Sequence, residues 1–143
     1  MKPEADQILD VSADQLMAAA MSGPDDAYGK GTAALHALLM KFAAREYERG
    51  ADIRAAENRD MRAAFAELAS LVKDFILRAE LATAAKGGDQ SLSISRLNAA
   101  NDELRRLLIS LHAHLEESGA RDAERKLWQL LKAMAARRAV SLF

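Results

Sequence analysis

Residues 97–117 read LNAANDELRRLLISLHAHLEE, a run that places Leu97, Leu104, Leu107, Leu108, Leu111 and Leu115 on one side of a helix. A face of this kind is stable only when covered, since each leucine withdrawn from water contributes about 2 kcal/mol. The remainder of the chain must therefore supply the cover. Val, Ile and Thr together make up only ten of the 143 residues, while alanine and leucine dominate, so the covering elements are predicted to be helices and the fold all-α.

The helices can be placed by their periodicity and their stop signals. Val11-Ser12-Ala13-Asp14-Gln15-Leu16 reads as a capping box, which starts a helix at Ser12 or bends an earlier turn running from Pro3; Gly23-Pro24 ends it. Residues 25–31 contain Gly29 and Gly31 and predict a loop or a poorly formed first turn. The stretch Gly29-Lys30-Gly31-Thr32 is no phosphate loop, because Gly31 stands where Ser or Thr must follow the lysine. A second helix over residues 32–49 carries Leu35, Leu38, Leu39, Phe42 and Glu46 on adjoining turns, with Gly50 as its left-handed cap.

A third, long helix is predicted from the seam of Met61, Phe65, Leu68, Val72, Phe75, Ala79 and Ala82, ending at Gly87-Gly88-Asp89. Residues 51–58 either join it or form a hinge, with Asn58 as an alternative start. Ser91 or Ser93 caps the fourth helix and Ser118-Gly119 closes it. The fifth spans residues 121–138, with Ala123, Leu127, Leu130, Leu131 and Met134 inward and Trp128 at the edge. Short connections favour antiparallel neighbours, so the expected architecture is an up-down antiparallel bundle of four main helices plus an N-terminal helix, a single helical domain over residues 1–143.

Several chemistries are excluded by what the chain lacks. It has no cysteine, hence no disulfide, thiolate nucleophile or thiolate metal site. No stretch reaches the roughly 18 uninterrupted apolar residues of a membrane span, and the first residues are acidic where a signal peptide is basic, so a cytoplasmic location is expected. Charge is uneven: residues 1–26 hold one lysine against six acids, and residues 119–143 hold six Lys/Arg against two. That asymmetry is expected to bring the first and last helices near each other, within one subunit or across a dimer. The basic end, with Arg137-Arg138, has no zinc finger, basic zipper or helix-turn-helix beside it, so nucleic acid is not the expected partner.

The side chains able to do chemistry are few. His112 and His114 flank the leucine stripe on opposite sides and point apart; His112 and Glu116 share a face, and His36 from another helix could complete a ligand or metal set. No Glu-x-x-His pair is present, which removes the di-iron bundle pattern. Asn101 borders the leucine stripe and is expected to fix helix register through a buried polar contact, with ligand contact as the other reading. The methionines read as core filler. Trp128, between Lys126 and Lys132, is either the rim of the core or an anchor for a partner, and Asn101 and Arg105 are the other candidate contacts. No catalytic residue, cofactor or metal site is assigned.

Two resemblances add to this reading. Lys2-Pro3-Glu4-Ala5-Asp6-Gln7-Ile8-Leu9, residues 37–62 with Glu46, Gly50 and Ala55-Ala56-Glu57, Leu97-Asn98-Ala99-Ala100 and His114-Leu115 together resemble a family of small helical bacterial proteins. Genes of that family lie beside acyl-CoA dehydrogenase-like and aminoglycoside-phosphotransferase-like genes. The resemblance implies an accessory role near acyl-CoA or phosphotransfer metabolism and carries over no catalytic residue. In the chain, Ala139-Val140-Ser141-Leu142 replaces the family's terminal Asn-Pro. Separately, Leu97-Asn98-Ala99-Ala100-Asn101-Asp102-Glu103-Leu104 is similar to the Leu-Asn-x-x-Asn-x-x-Leu run of flagellar secretion chaperones, which bind client helices.

The resulting expectation is a non-enzymatic helical protein that binds another protein or itself, as a homodimer, with surfaces on its third to fifth helices. A flagellar-type secretion chaperone and a small ligand- or metal-binding bundle are the alternatives.

Overall fold

A computed structural model of the chain describes residues 4–23 and 26–139. Its elements are α1 (Ala5–Ser22), α2 (Ala27–Leu68), a single 3-10 turn (Ala69–Leu71), α3 (Phe75–Ala85), α4 (Ile94–Ser118) and α5 (Arg121–Arg138). No strand occurs among the described residues, so the chain is all-α. It divides into two compact units, one ending at Gly50 and one beginning at Ala51, with α2 contributing to both.

In the first unit α1 lies against the early part of α2 through small side chains: Ala13, Ala37 and Ala44 are its buried apolar residues. Alanine brings helix backbones close but removes little apolar area. Lys41 fastens the pair, with Nζ 2.8 Å from Asp14 and 3.9 Å from Asp10. The hydrogen bond to Asp14 raises the lysine pKa above its ordinary value, against a smaller opposing effect of desolvation.

Two expectations are corrected here. Residues 27–31 are helical because Asp26 starts α2 early: its carboxylate accepts from the Tyr28 amide at 3.1 Å and its carbonyl from the Lys30 amide at 2.9 Å. Ser12 lies inside α1, which begins at Ala5 after Glu4, so the capping-box start does not operate. Gly23 ends α1 in extended conformation, whereas the turn expected from Pro3 and the stop expected at Pro24 fall outside the described residues.

Gly50 is likewise not a cap. The helix runs through it, and Gly119 is the glycine with positive φ. An interior glycine costs about 1 kcal/mol relative to alanine, a penalty that the unbroken hydrogen-bond ladder of an alanine-rich continuation can absorb. Residues 51–58 therefore belong to α2.

The second unit is organised as the leucine stripe requires. Met61, Phe65 and Leu68 of α2, Leu81 of α3, Leu104, Leu108, Leu111 and Leu115 of α4, and Ala123, Leu127 and Met134 of α5 form one buried cluster with Val72. The predicted third helix is split: its ladder stops at Leu68, and Asp74 opens a new helix by accepting from the amides of Ile76 and Leu77 at 2.8 and 3.1 Å. Phe75, expected in the seam, is exposed as a consequence. Ser93 caps α4, Gly119 closes it at φ 68°, and α5 occupies residues 121–138, all as predicted. No helix among the described residues is long and apolar enough to cross a membrane.

Candidate functional site

The apolar stripe of α4 is interrupted once, at Asn101, which is buried between Leu97 and Leu104. A buried amide must find partners, because leaving it unpaired costs about 1–3 kcal/mol. The partners come from α2. Asn101 Nδ2 donates to Glu57 Oε2 at 3.1 Å and to Asn58 Oδ1 at 2.9 Å, and its Oδ1 accepts from Arg105 Nε at 2.7 Å.

Glu57 is the centre of this network and is fully buried, at 0% exposure. Besides Asn101, it accepts from Arg105 Nη2 at 3.1 Å and from both Nε and Nη2 of Arg138 at 2.7 Å. The two guanidinium groups remain partly open to solvent, so one buried negative charge is capped by two half-exposed positive ones. Burial pushes the Glu57 carboxyl up. The hydrogen bond and charge of Arg138, followed by the bonds from Arg105 and Asn101, outweigh it and hold the group below the usual carboxylate range.

Asn58, also fully buried, extends the network toward the loop before α4, donating to Asp89 at 3.1 Å and to the Leu97 carbonyl at 3.3 Å. Asp89 also accepts from Arg62 at 2.9 Å. One turn earlier on α2, Arg54 bonds Asn98 of α4. Polar links thus run from α2 to α4, to α5 and to the loop carrying Asp89.

Chemically this is an ion-pair knot. Four donors occupy the Glu57 oxygens, and a carboxylate held ionised in that way is a poor proton acceptor. Its evident capacity is to set helix register and to hold the Arg105 and Arg138 guanidinium groups in fixed positions at the surface.

Of the residues singled out in the sequence, Asn101 and Arg105 are thus brought together. Trp128 stands apart from them at the α4 and α5 surface, 56% exposed. Its ring meets His112 edge-on, centroids 5.2 Å apart and planes at 87°, while Nε1 donates to Glu124 at 3.5 Å. His112 Nε2 lies 4.0 Å from the same Glu124 carboxylate. Glu116 is exposed, and His36 is exposed in the other unit. No group of three His, Cys, Asp or Glu side chains able to hold a metal ion occurs among the described residues. His114 accepts from the Lys73 amide at 3.1 Å, so it holds the segment preceding α3.

Glu57 and Asn58 are not among the site residues expected from the sequence, although the sequence carries a signal for them. Stepping the Met61, Phe65 and Leu68 seam back by three and four residues lands on Asn58 and Glu57, two polar residues on a core face. Two surface hollows also occur in this unit. One of about 500 Å³ lies at the start of α4 beside Ser91 and Arg96, and one of about 490 Å³ lies between α2 and α5 beside Glu67 and Lys126. Neither contains Glu57, Asn101 or Trp128. Compared with known proteins, the chain matches no family model, no curated protein and no solved structure.

Proposed function

We propose that this is a non-enzymatic accessory protein, an up-down antiparallel helical bundle that works by binding another protein through the face formed by α4 and α5. The observation that carries this reading is Trp128. An indole at 56% exposure leaves much of its apolar surface in water, and this ring meets His112 edge-on with Nε1 3.5 Å from the Glu124 carboxylate. Ile109, one turn before His112 on the same side of α4, is exposed as well. An exposed aromatic packed on a histidine, with an exposed aliphatic on the neighbouring helix and a polar rim, is the composition of a binding hot spot.

Support for a binding role over catalysis comes from Glu57, whose carboxylate is engaged by four donors. The two-residue link Gly119-Ala120 between α4 and α5 supports the antiparallel bundle. Following the sequence resemblance, the partner class is an acyl-CoA dehydrogenase-like or aminoglycoside-phosphotransferase-like enzyme.

The test is affinity capture from native lysate with wild type, Trp128→Ala and Ile109→Ser side by side, followed by identification of the bound protein. The expected result is a stoichiometric protein retained by wild type and at least tenfold less by both variants. Retention of nothing, or of a protein indifferent to both substitutions, overturns the reading.

A further inference from the structure

The cations of α5 fall into two sets. Three of them reach α2, where each meets a carboxylate: Lys126 bonds Glu67, Arg137 bonds Asp60, and Arg138 bonds Glu57. On the solvent side of the helix, at about 100° per residue, Arg121, Arg125, Trp128 and Lys132 fall within an arc of roughly 60°. All four are exposed. Arg125 lies 3.2 Å from Asp122, itself an exposed residue, while Arg121 and Lys132 have no ion-pair partner among the described residues. The helix is thus charge-matched within the chain on one side and left with an excess of positive charge around its tryptophan on the other.

We infer that this stripe receives an acidic amphipathic helix of the partner protein, with carboxylates over Arg121, Arg125 and Lys132 and an apolar side chain over Trp128 and the exposed Ile109 of α4. Steps of four and seven residues set the three cations about 6 and 10.5 Å apart along the axis. A helix lying alongside matches that spacing with acids four and seven residues apart, which share one of its faces. Trp128 stands between Arg125 and Lys132, so the charges steer and orient the partner while the indole anchors it. A nucleic acid fits this face less well. Duplex DNA carries one negative charge about every 1.7 Å, whereas the stripe offers three cations over about 17 Å and is flanked by the carboxylates of Asp122 and Glu124. An anionic bilayer meets the same two acids, with only Trp128 and Ile109 to insert.

This inference rests on reading the chain as a protein-binding module and adds the chemistry of the partner. Trp128 is the one tryptophan of the chain, so its emission reports the site directly. The experiment titrates the full chain, wild type and Arg121→Gln/Lys132→Gln, with a synthetic helical peptide of Ala, Gln and Leu that carries three Glu spaced by four and seven residues and a Leu between the second and third. The same peptide with Lys in place of Glu is titrated beside it, and helicity of both chains is read by circular dichroism. The expected result is a saturable shift of Trp128 emission with the Glu peptide and none with the Lys peptide. Affinity should fall at least fivefold in the variant at equal helicity, and at least fivefold when salt is raised from about 50 to 500 mM, because exposed charges are screened.

No shift with the Glu peptide up to about 1 mM overturns the inference, as does equal binding of the Glu and Lys peptides or a variant that binds the Glu peptide as wild type does. Tighter saturation by duplex DNA, or by vesicles of phosphatidylglycerol and phosphatidylcholine, also overturns it and gives the face to that anionic surface. Lysate capture separates this inference from the reading it rests on. A protein retained by wild type and by Arg121→Gln/Lys132→Gln but lost with Trp128→Ala refutes the acidic helix and leaves the binding function standing. A peptide titration that succeeds while lysate yields no partner supports the stripe and refutes the native-partner reading.

Discussion

Glu57 and Arg138 stand 81 positions apart and meet in a doubly bonded pair, Nε and Nη2 each donating at 2.7 Å to the buried carboxylate. The pair ties the last turn of α5 to the last third of α2. It also explains how a charged residue can lie on the same face as Met61 and Phe65: its charge is matched where it sits.

Replacing Glu57 by Gln should therefore be felt by the whole second unit. The substitution keeps the shape but leaves two guanidinium groups without their carboxylate. A loss of about 2–4 kcal/mol at neutral pH is expected from breaking such a pair, read as a lower urea midpoint at unchanged slope. The pH dependence has a defined sign. Glu57 is held below the usual carboxylate range in the folded chain, so at acid pH the unfolded chain binds the extra proton. The stabilisation is complete above the unfolded value of about 4.3 and drains away as pH falls through the lower folded value. Wild type should lose its advantage over Glu57→Gln across that acid window, and a constant difference down to pH 2 would contradict the assignment.

Asn101→Ala removes a side chain that serves Glu57, Asn58 and Arg105 at once. A cost of about 1–3 kcal/mol is expected, since Asn58 Oδ1 loses its buried donor. Because Asn101 and Glu57 belong to one network, the double variant Asn101→Ala/Glu57→Gln should cost less than the sum of the singles by 0.5 kcal/mol or more, on the order seen for coupled neighbours. Additive losses measured by chemical denaturation would mean that the two side chains act independently.

Two glycines should respond to alanine with opposite signs. Gly31 lies in the α2 helix with open space where a Cβ would stand, so Gly31→Ala should stabilise by up to about 1 kcal/mol through helix propensity. Gly119 adopts φ 68° at the end of α4, where its amide bonds the Glu116 carbonyl at 3.1 Å. Gly119→Ala should destabilise by about 1 kcal/mol, because a Cβ is strained in that conformation. Thermal melts of the two variants beside wild type check both signs.

Local chemistry made much of this molecule legible before any contact was known. The composition implied helices, Ser93 and Gly119 bracketed α4, and the leucine spacing identified the face that is buried. Asn101 was legible as a buried polar residue because it interrupts that face. These are short-range properties: a cap, a glycine at positive φ and a period of 3.6 residues act within one or two turns.

Only the tertiary structure decided the rest. It carried α2 through Gly50, since a glycine next to alanine-rich helix is weakly unfavourable in itself and the surrounding ladder determines the outcome. It broke the predicted third helix before Asp74, where a carboxylate cap competes with continuation and local spacing alone does not choose between them. It left Leu35 and Leu39 exposed although their spacing reads as core, because burial depends on which face a neighbour covers. Above all it placed Glu57 in the interior, where the partners that make burial tolerable lie 44, 48 and 81 positions away, beyond the reach of any local pattern.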